Sequence, residues 1–259
     1  MTRVPNSKGL GLATEIYRPK KDGKLPVVFL FHGFTGYKES TDLVDFADRF
    51  ASKGIVAVRF TSSGFGDSDG TLADDYRFTN YRSDAESVYQ YVARLAYADT
   101  TRMGVVGHSM GGKLAVLFCA DHPDVTVLGV LAAPVTFLGT AYGPLLKEWR
   151  EIGYFEKVSG RDQKTIRIPY EYVTDVEGAE HDVLAAAATI THADTLVMAG
   201  LADTEVPWQE TKRIFDALPS KKTWSLLPGV PHKYGHQKAL IPVVNTPVAE
   251  FIAARLLRD

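Results

Sequence analysis

The sequence predicts an α/β protein built on one mostly parallel sheet, and three observations carry that expectation. Short runs rich in Val, Ile and Phe recur along the 259 residues, bounded by Gly, Pro or Asp, as buried strands are. Between them lie amphipathic stretches long enough for about three turns of helix. A chain of this length with 45% hydrophobic residues can bury roughly three quarters of its unfolded surface around one core.

Taken in order, Gly11 to Arg18 is expected as an antiparallel edge strand, followed by a charged, solvated turn around Pro19 and Gly23. Leu25 to Phe31 reads as a buried strand, Thr41 to Ser52 as a helix and Ile55 to Phe60 as the next strand. A helix over Tyr81 to Ala96 leads to a strand over Thr101 to Val106, then to a helix over Gly111 to Ala120 and a strand over Val125 to Ala132. Thr195 to Ala199, a helix over Pro207 to Leu218 and a last strand over Lys222 to Leu227 complete the alternation. Strand and helix in this rhythm imply right-handed crossovers, helices on both faces and ligands bound beyond the carboxyl ends of the strands. From about Pro134 to Gly178 the rhythm fails. Residues 1–134 and 179–259 are therefore expected to form the core, and 135–178 an inserted segment over the active face. Its aromatics, Trp149, Tyr154 and Tyr170 among them, are expected to wall the substrate site as well as to pack the segment down.

Composition excludes several classes of function. A formal net charge of −2 and the lack of a basic or acidic run give no field that would gather nucleic acid or anionic lipid. One cysteine permits no internal disulfide, the first residues lack a signal-like apolar stretch, and no run reaches the ~18 residues of a membrane span. The expectation is a cytoplasmic protein whose partner is a small molecule.

Val106-Gly-His-Ser-Met-Gly-Gly112 sits between a strand and a helix. A turn that sharp strains its central residue, and glycines at 107 and 111 remove side chains that would collide, so Ser109 is lifted clear as a nucleophile at a helix N-terminus. A serine hydroxyl needs a base, and the base an orienting acid. Asp203 follows the strand ending at Ala199, and His232 follows the last strand, about 29 residues later. His236 is the competing base and Glu205 the competing acid. Oxyanion donors are expected from the backbone N–H groups of Met110 and of Phe34, in the His32-Gly-Phe-Thr-Gly36 loop that His32 orders. The His232/His236 spacing lacks the helix and glutamate of a zinc-protease motif, and Gly64 to Gly70 matches no nucleotide or calcium loop, so neither metal nor cofactor is expected. Cys119 reads as a small buried apolar residue, and His122, His181 and His192 as surface or capping residues.

With HGFTG at 32–36, VRFTSSGFGDSDG at 58–70, GHSMGG at 107–112 and GLADTEVP at 200–207, the chain resembles the α/β-hydrolase superfamily, and within it the cinnamoyl and feruloyl esterases and related carboxylesterases. The resemblance implies a mostly parallel eight-stranded sheet with a lid inserted between strands 6 and 7. It also implies a Ser109, His232, Asp203 triad. The expected activity is hydrolysis of carboxylic esters of small or aromatic acids through an acyl-enzyme. The alternatives are a peptidase resembling the prolyl oligopeptidase group and a non-catalytic binding module on the same fold.

Overall fold

Strand β3 (Leu25–Phe31) shows how the sheet is built, because all seven of its residues are buried. Val27, Phe29 and Phe31 enter one apolar cluster and Val28 and Leu30 the other, as the two-residue period of a strand covered on both faces demands. The computed structural model describes residues 1–258 of the chain. Its main sheet also contains β1 (Thr2–Pro5), β2 (Gly11–Tyr17), β4 (Val56–Phe60), β5 (Ala98–His108), β6 (Val125–Leu131), β9 (Asp194–Gly200) and β10 (Lys222–Leu227). The order across the sheet is β1-β2-β4-β3-β5-β6-β9-β10. From β4 to β10 every neighbouring pair is parallel; only the β1–β2 and β2–β4 pairs are antiparallel. This is the α/β-hydrolase fold.

One expectation about the sheet is corrected. The Gly11 strand is antiparallel but not the edge, since Thr2–Pro5 pairs along its outer side, Arg3 opposite Ala13. Four alternating residues carry too little periodicity to be read as a strand alone.

Helices α1 (Thr41–Ser52) and α8 (Ile241–Leu256) cover one face, burying Phe46, Phe50, Val248 and Ile252 against Val28 and Leu30. Helices α2 (Phe78–Ala93), α3 (Met110–Asp121) and α7 (Trp208–Ala217) belong to the other face, where Phe29 and Phe31 meet Phe118 and Tyr81. No helix among the described residues is long and apolar enough to cross a membrane.

Between β6 and β9 the chain forms α4 (Leu146–Ile152), an antiparallel hairpin of β7 (Tyr154–Val158) and β8 (Thr165–Pro169), α5 (Glu171–Val176) and α6 (Val183–Thr189). Buried Lys113 of α3 ties this stretch down, donating from Nζ to the carbonyls of Val135 and Val176, each at 3.1 Å. His181, expected as a surface or capping residue, is only 2% exposed: it sits edge-on to Phe78 and shares a 2.9 Å hydrogen bond with the Thr79 hydroxyl.

Candidate active site

Four strands end at the same edge of the sheet, and each delivers one component of a site. β5 runs into Ser109, the residue that turns the chain into α3, with φ 58° and ψ −125°. A non-glycine residue held there costs on the order of 1–3 kcal/mol, and the surroundings enforce it. A Cβ on Gly107 would collide with the carbonyl of Gly111, and one on Gly111 with the carbonyls of Phe31 and His32. The glycines are required by the close approach of three backbone segments, and Ser109 takes the strain.

Ser109 Oγ lies 2.9 Å from Nε2 of His232, and Nδ1 of His232 lies 2.7 Å from Oδ2 of Asp203. The other oxygen of Asp203 accepts the backbone N–H groups of Glu205 at 2.9 Å and Val206 at 2.8 Å. A carboxylate held by two amides is an acceptor only, so Nδ1 carries the imidazole proton and Nε2 faces the serine hydroxyl as an acceptor. All three residues are buried, at 7%, 8% and 9% exposure for Ser109, His232 and Asp203, which shields the line from bulk water. His236 is exposed in the turn after His232 and makes no hydrogen bond to Ser109 or Asp203; Glu205 instead pairs with Lys233 at 2.6 Å.

His108 packs its ring 4.7 Å from that of His232, and burial together with His232 holds its pKa well below the ordinary value. It is therefore neutral, and places no second cation beside the His232 imidazole.

The loop after β3 brings Phe34 opposite Met110. Neither backbone N–H has an acceptor among the described residues, so both are free to donate. His32 orders this loop: Nδ1 donates to the Gly33 carbonyl at 2.9 Å, Nε2 accepts from Ser62 N–H at 3.2 Å, and the ring stacks on Tyr81. Thr35, the residue after Phe34, has φ 55°, and its N–H donates to the Tyr76 hydroxyl at 2.6 Å. Tyr76 carries no motif that singles it out in the sequence.

Ser109 and His232 open onto a cavity of about 470 Å³, walled on one side by Phe34, Phe137, Tyr142, Lys157 and Val158. The three aromatics named from the sequence are not in that wall. Trp149 is 1% exposed, packed behind Phe34 and Phe137 with its indole N–H donated to the Ile168 carbonyl at 2.9 Å. Tyr154 lies under Arg167 on the hairpin, and Tyr170 caps α5. Trp149 is a support rather than a wall because a buried indole must find an acceptor, and the one it finds lies inside the insertion. Phe137 and Tyr142 take the expected place, and Lys157 was not foreseen. Among the described residues no group of three or more His, Cys, Asp and Glu side chains gathers as a metal site would need.

Residues 24–168, more than half of the chain, match the family model described as serine aminopeptidase, S33. Among curated proteins the chain is 26% identical over 207 residues to the mitochondrial palmitoyl-protein thioesterase ABHD10 of Pongo abelii, a match covering 78% of this chain and 64% of that protein. The chain thus spans less than two thirds of that relative. It is 27% identical over 206 residues to monoacylglycerol lipase abhd6-A of Xenopus laevis, covering 78% of this chain and 56% of the lipase. Among solved structures, Est1E from Butyrivibrio proteoclasticus with ferulic acid bound superposes with a TM-score of 0.75 at 20% identity over 100% of both chains. Mouse alpha/beta hydrolase domain-containing protein 10 gives 0.78 at 24% identity over 98% of both. The likeness to the solved structures is one of fold, whereas the family match rests on sequence across strand β3, the Ser109 turn and the hairpin: the chain belongs to the serine aminopeptidase S33 family of α/β-hydrolases.

Proposed function

We propose that this protein is a cofactor-free cytoplasmic serine hydrolase that cleaves carboxylic esters of small or aromatic acids. The observation that carries the proposal is the unbroken line from Ser109 Oγ through His232 to Asp203, at 2.9 and 2.7 Å, opening on one cavity. His232 Nε2 takes the hydroxyl proton as Ser109 Oγ attacks the ester carbonyl, and Asp203 stabilises the imidazolium. The oxyanion accepts the N–H groups of Phe34 and Met110, a contact whose loss typically costs about 3 kcal/mol per donor. His232 returns the proton to the departing alkoxide, leaving an acyl-enzyme, then deprotonates the water that releases the acid.

The cavity falls within the roughly 300–1,000 Å³ of ordinary small-molecule sites, and the rings of Phe34, Phe137 and Tyr142 offer apolar area to a short or aromatic group. In this reading the insertion over 135–178 acts as the lid. Thioester cleavage is the second reading, favoured by the palmitoyl-protein thioesterase among the relatives. Amide cleavage is the reading that the family description suggests.

The test is turnover of a p-nitrophenyl ester chain-length series, methyl ferulate, acyl thioesters and aminoacyl anilides, with fluorophosphonate labelling of wild type and Ser109→Ala. Esters with short or aromatic acids should lead, and Ser109→Ala should lose labelling and all but a trace of turnover. Labelling that persists in Ser109→Ala would place the nucleophile elsewhere. A clear optimum on long-chain thioesters or on anilides would replace the substrate class.

A further inference from the structure

The cavity wall contains a charge that ester cleavage as such does not use. Lys157, on β7, donates from Nζ to the Tyr142 hydroxyl at 3.1 Å and lies 5.2 Å from the ring centroid of Phe34, the residue whose N–H faces the oxyanion. Among the described residues it forms no ion pair; Glu205, which also lines the cavity, is held by Lys233 at 2.6 Å. An ammonium has three N–H donors, and here a single hydrogen bond and two flanking rings, those of Phe34 and Tyr142, are its company. The rings favour a cation modestly.

Withdrawal from water lowers the pKa of Lys157 to about 8, with Lys233 acting in the same direction and Glu205 against it. The group is thus still largely charged at neutral pH, half-buried and without an ion-pair partner among the described residues. What completes such a site is an anionic oxygen, which gains both the Coulomb attraction and a charge-assisted hydrogen bond. An anion placed beside Asp42 or Glu205, the acids that border the cavity, meets like charge instead.

We propose that Lys157 makes this cavity selective for esters that carry a carboxylate or similar oxyanion in addition to the scissile ester, on either the acyl or the alcohol part. This rests on the ester-hydrolase reading of the site and narrows its substrate class to acidic esters.

The experiment compares matched pairs in which only the charge differs. For the acyl side the pair is 4-nitrophenyl hydrogen succinate and its methyl ester; for the alcohol side, 4-acetoxybenzoic acid and its methyl ester. In at least one pair, Lys157→Met should lower the ratio of kcat/KM for the acid over that for the neutral ester by at least about tenfold, and Lys157→Arg should restore most of it. The pair that responds identifies the half of the substrate that Lys157 holds. Raising the pH from 7 to 9.5 should erode the wild-type ratio as the ammonium is lost, while the Lys157→Met ratio stays level. Taking a ratio cancels effects of Glu205, Lys233 and the Tyr142 phenol that reach both esters alike.

A ratio that agrees within about twofold between wild type and Lys157→Met in both pairs, with neutral esters still hydrolysed, overturns this inference and leaves the esterase proposal standing. Calorimetric binding of the same compounds to Ser109→Ala separates the converse. A preference for the acid that depends on Lys157, with no ester turned over by wild type, removes the esterase proposal and keeps the anion site. No turnover and no preference remove both.

Discussion

Asp203 carries two functions on one carboxylate, and they can be separated by changing a single atom. Its Oδ1 closes the turn by accepting two amides, while Oδ2 accepts from His232 Nδ1. In Asp203→Asn the side-chain oxygen can still close the turn, but an NH2 then faces Nδ1 and cannot accept from it. The imidazole is driven to the other tautomer, with its proton toward Ser109, and no base remains. The expected result is a folded protein whose kcat on p-nitrophenyl acetate falls by up to about 10⁴. His236→Ala should lose less than the roughly 10²- to 10⁴-fold that a general base contributes, because no hydrogen bond joins it to the serine. Equal losses in the two histidine variants, His232→Ala and His236→Ala, would move the base role. The positions of Ser109, Asp203 and His232 were legible because each follows the end of a strand, where the sheet fixes the geometry. Lys157 was not, because the hairpin that places it carries no motif. Trp149 misled for a related reason: a large aromatic in an insertion has the same letter whether it faces a ligand or, as here, the Ile168 carbonyl.

At the scale of elements, the turn between β5 and α3 depends on backbone contact more than on side chains, and its tolerance to change follows. Gly111 has no room for a Cβ because the carbonyls of Phe31 and His32, fixed in and beside the central strand β3, occupy the space. Gly160, in the β7–β8 hairpin, has nothing within 4 Å of where its Cβ would be and no left-handed φ. Gly111→Ala is therefore expected to lower stability by at least roughly 1–3 kcal/mol in urea melts, as overpacking against an immovable backbone does. Gly160→Ala should stay within about 0.5 kcal/mol. Similar costs at the two sites would show that β3 can shift to admit a side chain. Such tightness also explains what could be read about elements in advance. The central strands appear in the sequence as apolar runs because both faces are covered, so Leu25–Phe31 is found where its residues predict. Thr2–Pro5 escaped notice because an edge strand needs only backbone pairing, which leaves no mark on side-chain pattern.

At the scale of the whole molecule, burial of imidazoles ties stability to pH. His32 is 2% exposed, and loss of hydration lowers its pKa from 6.5 to about 4, with the Gly33 carbonyl opposing. Burial also lowers those of His108 and His181. A group whose folded pKa is depressed contributes its stability fully above the unfolded pKa, and loses it as pH falls through the folded one, because the unfolded chain binds the proton first. For His32 the window is pH 6.5 to 4, and the integrated loss is about 3 kcal/mol. Asp42, partly buried, and Asp84, fully buried, work the other way: desolvation raises their pKa values, so the folded state takes up their protons first as pH falls. The wild-type curve is the difference of these trends, and a single variant isolates one of them. His32→Gln should be less stable than wild type at pH 7, since the hydrogen bonds to Gly33 and Ser62 are disturbed. Its stability from urea melts should nevertheless decline less steeply between pH 6.5 and 4, by up to about 1.4 kcal/mol per pH unit, the equivalent of one proton. Because His32 positions the loop that carries Phe34, activity should fall across the same window in wild type at urea concentrations near the midpoint. Parallel stability curves for the two proteins would mean that His32 is protonated as readily in the folded chain as in the unfolded one, and that the loop opens to water before the rest of the molecule does.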